Sequence, residues 1–103
     1  MDRLVDLAKV LRSKNSGPFS ITLDILFDNY DTYKRVVDSN TITLENISKL
    51  YKIRKEEITE LVFFDKGLGI KITMNRRISS GTAGDRDVYG AQQHAPLFDI
   101  LIP

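Results

Sequence analysis

Between Phe19 and Phe27 apolar side chains fall on every second residue: Phe19, Ile21, Leu23, Ile25 and Phe27 alternate with Ser20, Thr22, Asp24 and Leu26. Successive side chains of a strand point to opposite faces, so this run predicts a strand with one face on a core. A second alternation sets Leu68, Ile70, Ile72 and Met74 against Gly69, Lys71, Thr73 and Asn75. The stretch from Ile58 to Phe64 reads as its neighbour and Asp65-Lys66-Gly67 as the turn, which predicts a hairpin. Asp24 and Lys71 stand on the polar sides of their strands. Asp is disfavoured in mid-strand, so Asp24 is either kept for a contact or part of a plain ion pair on an open sheet face.

Helical spacing occupies the remainder. Leu4, Leu7, Ala8 and Leu11, widened by Val5 and Val10, predict a short amphipathic helix over roughly residues 2–11, ended by Gly17-Pro18 after a polar loop. Asp28 and Asn29 are candidate caps for a second helix carrying Tyr30, Tyr33, Val36 and Val37, which Ser39-Asn40 breaks. Thr43 caps a third, with Leu44, Ile47, Leu50 and Tyr51 on its face. Leu97 to Ile102 reads as a last strand. A strand, two helices and another strand suggest a βαβ crossover, to which the hairpin adds an antiparallel partner. The expected fold is α+β: a single domain over 1–103, a two-layer sandwich on a mixed sheet of about four strands, with a ferredoxin-like arrangement as the candidate. A full ferredoxin-like fold needs a second crossover helix, and residues 76–95 supply no convincing one.

Composition narrows function mainly by exclusion. The chain has 103 residues, 15 Lys+Arg against 14 Asp+Glu, one His and no Cys. No disulfide framework, thiolate metal site or thiol nucleophile is available. A formal charge of +1 gives no global reason to expect a nucleic-acid or membrane-surface binder. No apolar run approaches the ~20 residues that span a bilayer. Asp6 and Lys9 interrupt the N-terminal apolar residues, so no signal peptide is expected and the location by default is cytoplasmic. Thr43 to Glu57 resembles the start of a helix-turn-helix, with Lys49, Lys52, Arg54 and Lys55 basic. However, Ile58 to Phe64 reads as strand where a recognition helix should begin.

Residues 76–95 lack hydrophobic periodicity, and connections beyond ~12–15 residues in compact domains are usually functional or disordered. Arg76 and Arg77, followed by Ser79-Ser80-Gly81-Thr82-Ala83-Gly84, have the makings of an anion cradle, although no Walker or dinucleotide pattern is present. The alternative is a polar loop with two solvated arginines. Asp85, Asp87 and His94 can meet around a divalent metal, or His94 can act as a general base oriented by Asp87. Structural hydrogen bonding serves equally, and no metal or other cofactor is assigned. Tyr89, Gln92 and Gln93 offer groups that orient a carbonyl or tie the loop to the sheet. Lys14 and Asn15 either join a site at the sheet rim or mark a solvated helix end.

Arg12-Ser13-Lys14-Asn15-Ser16-Gly17-Pro18-Phe19, Asp24-Ile25-Leu26-Phe27, Ile70-Lys71-Ile72-Thr73 and Asp87-Val88-Tyr89-Gly90-Ala91-Gln92-Gln93-His94-Ala95-Pro96-Leu97 together resemble a small bacterial and archaeal family. It is known as domain of unknown function four-three-eight-seven. The resemblance spans essentially the whole chain and is most specific from Tyr89 to Leu97; the family's usual form has Ala where this chain has Ser16. The resemblance implies a small companion of the larger acyclic-terpene-utilisation (AtuA-type) proteins of carboxylic-acid and acyl-CoA catabolism. It carries no established catalytic residue; Lys14, Asn15, Asp24, Lys71, Arg76 and His94 match only as motif positions. The expected function is therefore a small subunit or accessory domain that completes a site on a larger catabolic enzyme, with 76–95 as the contact. A self-sufficient lyase or hydratase using His94, with Arg76 or Arg77 on a substrate carboxylate, is the enzyme alternative. A homo-oligomer also remains open.

Overall fold

The computed structural model describes residues 1–17, 19–75 and 95–103. Its elements are β1 (Asp2–Arg3), α1 (Leu4–Leu7), β2 (Val10–Gly17), β3 (Ser20–Leu26), α2 (Tyr30–Asp38), α3 (Leu44–Tyr51), β4 (Ile58–Phe64), β5 (Gly69–Asn75) and β6 (Leu101–Ile102). Single 3₁₀ turns lie at Lys55–Glu57 and Ala95–Leu97.

The main sheet has the order β2-β3-β5-β4, and every neighbouring pair is antiparallel. The class is α+β with four main strands, as expected, but the sheet is not mixed. β3 and β4 both run against β5, so they are parallel to one another without being adjacent. The α2–α3 connection is the anticipated crossover, and the hairpin strand β5 has slipped into the gap between its two strands. This is the split β-α-β unit found in ferredoxin-like domains. The place beside β3 goes to β2, which comes from the N-terminal side.

The expected helix over 2–11 is corrected to one turn, Leu4–Leu7. Ala8 is already extended, and the Lys9 N–H donates to Leu26 O at 2.8 Å, drawing the chain into β2. The stretch read as loop is therefore an edge strand of eight residues. Arg12, Lys14 and Ser16 are exposed while Leu11, Ser13 and Asn15 are half-buried, so the alternation exists but is written mostly in polar residues. The last strand is also shorter than the expected 97–102, because a 3₁₀ turn occupies Ala95–Leu97.

The helices start where their caps predict. Asn29 Oδ1 accepts from the Thr32 N–H at 2.8 Å, and Thr43 Oγ1 accepts from the Asn46 N–H at 3.1 Å. Ser39 ends α2, and Asn40 follows in the left-handed region at φ 55°. Ile21, Leu23 and Ile25 of β3 and Ile70, Ile72 and Met74 of β5 join Tyr33, Val36 and Ile47 in one buried core. The helices thus cover the face predicted to be apolar. Beyond α3, β4 begins where a recognition helix would have to stand, so the helix-turn-helix geometry is not formed.

The chain's two ends close one side of this core. β1 pairs with β6, and the Leu4 N–H donates to Ile100 O at 2.7 Å. Leu4, Leu97 and Ile102 are completely buried. No described helix is long and apolar enough to cross a membrane.

Candidate functional site

Cross-strand register arranges the other face of the sheet in three rows. Lys14, Thr22, Thr73 and Glu60 form the first, and Arg12, Asp24, Lys71 and Val62 the second. Val10, Leu26, Gly69 and Phe64 form the third. Two rows are polar and the third is apolar, so the face is amphipathic along the strand direction.

The polar rows are wired together across all four strands. Arg12 Nε donates to Asp24 Oδ2 at 3.1 Å, with the arginine largely solvated and the Asp24 side chain only 16% exposed. Lys71 Nζ lies 3.6 Å from Glu60 Oε1, and Thr73 Oγ1 donates to that same oxygen at 3.0 Å. Thr73 has then spent its proton, so the Thr22 hydroxyl donates to Thr73 Oγ1 at 3.2 Å. Thr22 is buried beneath these neighbours. In the apolar row a Cβ on Gly69 would come within 2.8 Å of Leu26 Cδ2, because the leucine side chain lies across the glycine.

Lys14, Asp24 and Lys71, selected from the sequence, do share this face. Asn15 does not. It is in register with Ile21, on the core side of β2, so the strand's alternation separates it from Lys14. Asp24 faces Lys71 across the β3–β5 ladder but pairs with Arg12 on its other side, and Lys71 pairs with Glu60. Arg12, Glu60, Thr22 and Thr73 were not singled out as site residues. For Arg12 the available signal was the polar alternation of β2, which is recognisable only once β2 is known to be a strand. Arg76, Arg77, Asp87, Tyr89, Gln92, Gln93 and His94 lie outside the described residues, as does the Asp85–Asp87–His94 grouping. Among the described residues no three His, Asp or Glu side chains cluster in a way that would hold a metal.

A second polar contact lies at the opposite end of the domain. Tyr33 Oη donates to Asp65 Oδ1 at 2.6 Å. Burial first, and the neighbouring carboxylate second, push the Tyr33 hydroxyl up to about 12. Burial alone raises the Tyr51 hydroxyl. Neither tyrosine is prepared to ionise near neutrality, and Tyr33 serves as a neutral donor to Asp65. On the sheet face Arg12, Asp24, Lys71 and Glu60 are held in cross-strand ion pairs.

No curated protein and no solved structure matches the chain. Residues 4–101 match the family described as domain of unknown function (DUF4387), a span that takes in all four strands of the main sheet and both long helices. The chain belongs to that family.

Proposed function

We propose that the chain is a small subunit or accessory domain that completes a site on a larger catabolic enzyme of carboxylic-acid or acyl-CoA metabolism, of the acyclic-terpene-utilisation type. One juxtaposition supports this reading. Asn75, the residue before the 76–94 segment, stands opposite Ser20, next to the turn where β2 passes into β3. Phe19 at that turn is 58% exposed, and Ser16 Oγ and Ser20 Oγ are 2.8 Å apart beside it. The β2–β3 turn that follows the polar run 12–17 and Asn75, the last described residue before 76–94, therefore share one end of the sheet, more than fifty residues apart in sequence. An exposed aromatic ring is the side-chain type enriched at protein-binding surfaces, and Phe19 presents one at this turn.

The test is co-expression with an acyclic-terpene-utilisation-type protein, followed by size-exclusion chromatography and assays with acyl-CoA and small hydroxy-acid substrates. Co-elution is expected, with turnover by the pair and none by the isolated chain. Phe19→Ser and Arg77→Ala should each weaken the complex without unfolding the domain. Robust turnover by the 103-residue chain alone would instead establish a self-sufficient enzyme.

A further inference from the structure

We propose that the amphipathic sheet face is a self-complementary surface on which a second copy of this chain docks, face to face, about a two-fold axis running along the strands. The inference goes beyond the accessory role, which rests on the β2–β3 end of the sheet.

Such an axis keeps each residue at its level along the strands and exchanges the two margins of the sheet. β2 of one copy then lies over β4 of the other, and β3 over β5. The register converts this into residue pairs. Lys14 meets Glu60 of the second copy in the first row, and Asp24 meets Lys71 in the second. In the third, Val10 meets Phe64. Opposite charges face one another at Lys14–Glu60 and Asp24–Lys71, Arg12 lies over Val62, and apolar side chains meet in the third row. Each pairing occurs twice by symmetry. Had the two margins carried charges of the same sign in the first row, the same operation would oppose like charges.

Most of these groups are accessible in the single chain, the Asp24 side chain, at 16% exposed, being the exception. Lys14 is exposed, the Glu60 and Lys71 side chains are 40% and 42% exposed, and Phe64 is 48% exposed. Sheets that pack face to face align within about 30° of each other, so the twist preserves the row-to-row correspondence over this short face. The size of the face sets the strength. Four strands about 4.8 Å apart and about 23 Å long cover roughly 450 Å² per copy. Two copies bury about 900 Å², below the ~1,600 Å² of a standard stable interface. The dimer is therefore weak and concentration-dependent.

The test is sedimentation velocity of the whole chain over a concentration series, with circular dichroism and thermal melting as fold controls. The wild-type chain should shift from monomer towards dimer as concentration rises. Lys14→Glu places two carboxylates opposite one another and Glu60→Lys two ammonium groups, so each variant alone should associate roughly 10-fold or more weakly. Mixing the two variants restores both opposite-charge contacts, and the mixture should associate as the wild type does. That rescue requires both variants to be folded and depends specifically on the Lys14–Glu60 pairing. A chain that stays monomeric at its highest soluble concentration overturns the proposal. So does a dimer indifferent to both variants, or a mixture that fails to recover association.

Discussion

Tyr33 on α2 donates a 2.6 Å hydrogen bond to Asp65 in the turn between β4 and β5, joining the helix layer to the far end of the sheet. Its ring is buried and meets Phe27 edge-on at 6.0 Å. The contact combines apolar packing with one directed bond to a carboxylate.

A pH dependence follows. The folded state holds the Tyr33 hydroxyl near 12, against an ordinary value of 10. Its contribution is fully present below pH 10 and is lost as pH rises from there through about 12. Tyr33→Phe keeps the ring and deletes the bond, and should cost about 1–2 kcal/mol at neutral pH. Urea melts of both proteins at stepped pH check this. Their stability difference should shrink above pH 10, while the Tyr51 contribution, present in both, cancels. A difference that stays constant to pH 12 would show that the hydroxyl does not titrate as described.

The glycine in the apolar row gives a packing prediction. Gly69→Ala brings a methyl group within 2.8 Å of Leu26 Cδ2, the mobile end of a flexible side chain. The leucine can yield, so the expected cost is about 1 kcal/mol, towards the low end of overpacking. In a Leu26→Ala background that cost should vanish. A double-mutant cycle measured by denaturant unfolding decides the matter: additive effects would mean that the two side chains do not share the space.

Ile47 and Leu50 test the packing of α3. Ile47 is completely buried, and Leu50 is half-buried against the same core. Ile47→Ala should cost about 2–5 kcal/mol, and Leu50→Ala less, because part of its surface stays in water. Equal losses in thermal or urea unfolding would contradict the different depths of the two side chains.

Much of this architecture was legible because it rests on patterns that a core enforces. Ile21, Leu23 and Ile25 can satisfy water and core together only as a strand, and Asn29 and Thr43 announced their helices through cap chemistry. β2 escaped because an edge strand needs little apolar surface: of its core-side residues only Leu11 is apolar, with Ser13 and Asn15 following. The helical spacing of Leu4, Leu7 and Leu11 was real, but pairing with β3 overrode it after one turn. The order of the strands was hidden for a different reason. A βαβ pattern fixes the relative direction of β3 and β4 but says nothing about a later strand entering between them. At the site, Asp24 and Lys71 were visible as charges on a strand's polar side. Their partners Arg12 and Glu60 come from strands 12 and 11 residues away, and only the register brings them alongside.

Arg35 supports the last prediction. Its guanidinium forms three contacts that gather the chain's ends: Nη1 lies 2.9 Å from Asp2 Oδ2, Nε donates to Pro103 O at 2.9 Å, and Nη2 donates to Ile102 O at 3.1 Å. A planar fork can serve three acceptors at fixed angles, whereas an ammonium group acts as a point charge on a flexible stem. Arg35→Ala should therefore loosen β1 and β6 together, and Arg35→Lys should restore only part of the loss. The side chain is more than a third exposed, so solvent screening limits the expected cost to about 1–2 kcal/mol. The more sensitive measurement is native-state hydrogen exchange. The Leu4 amide, bonded to Ile100 O, should lose protection in Arg35→Ala, while amides at the β3–β5 ladder keep theirs. Buried Leu4, Leu97 and Ile102 lie under this clamp, so its opening would expose one edge of the core without melting the sheet. Uniform loss of protection across the whole domain would show instead that the chain ends and the main sheet unfold as a single unit.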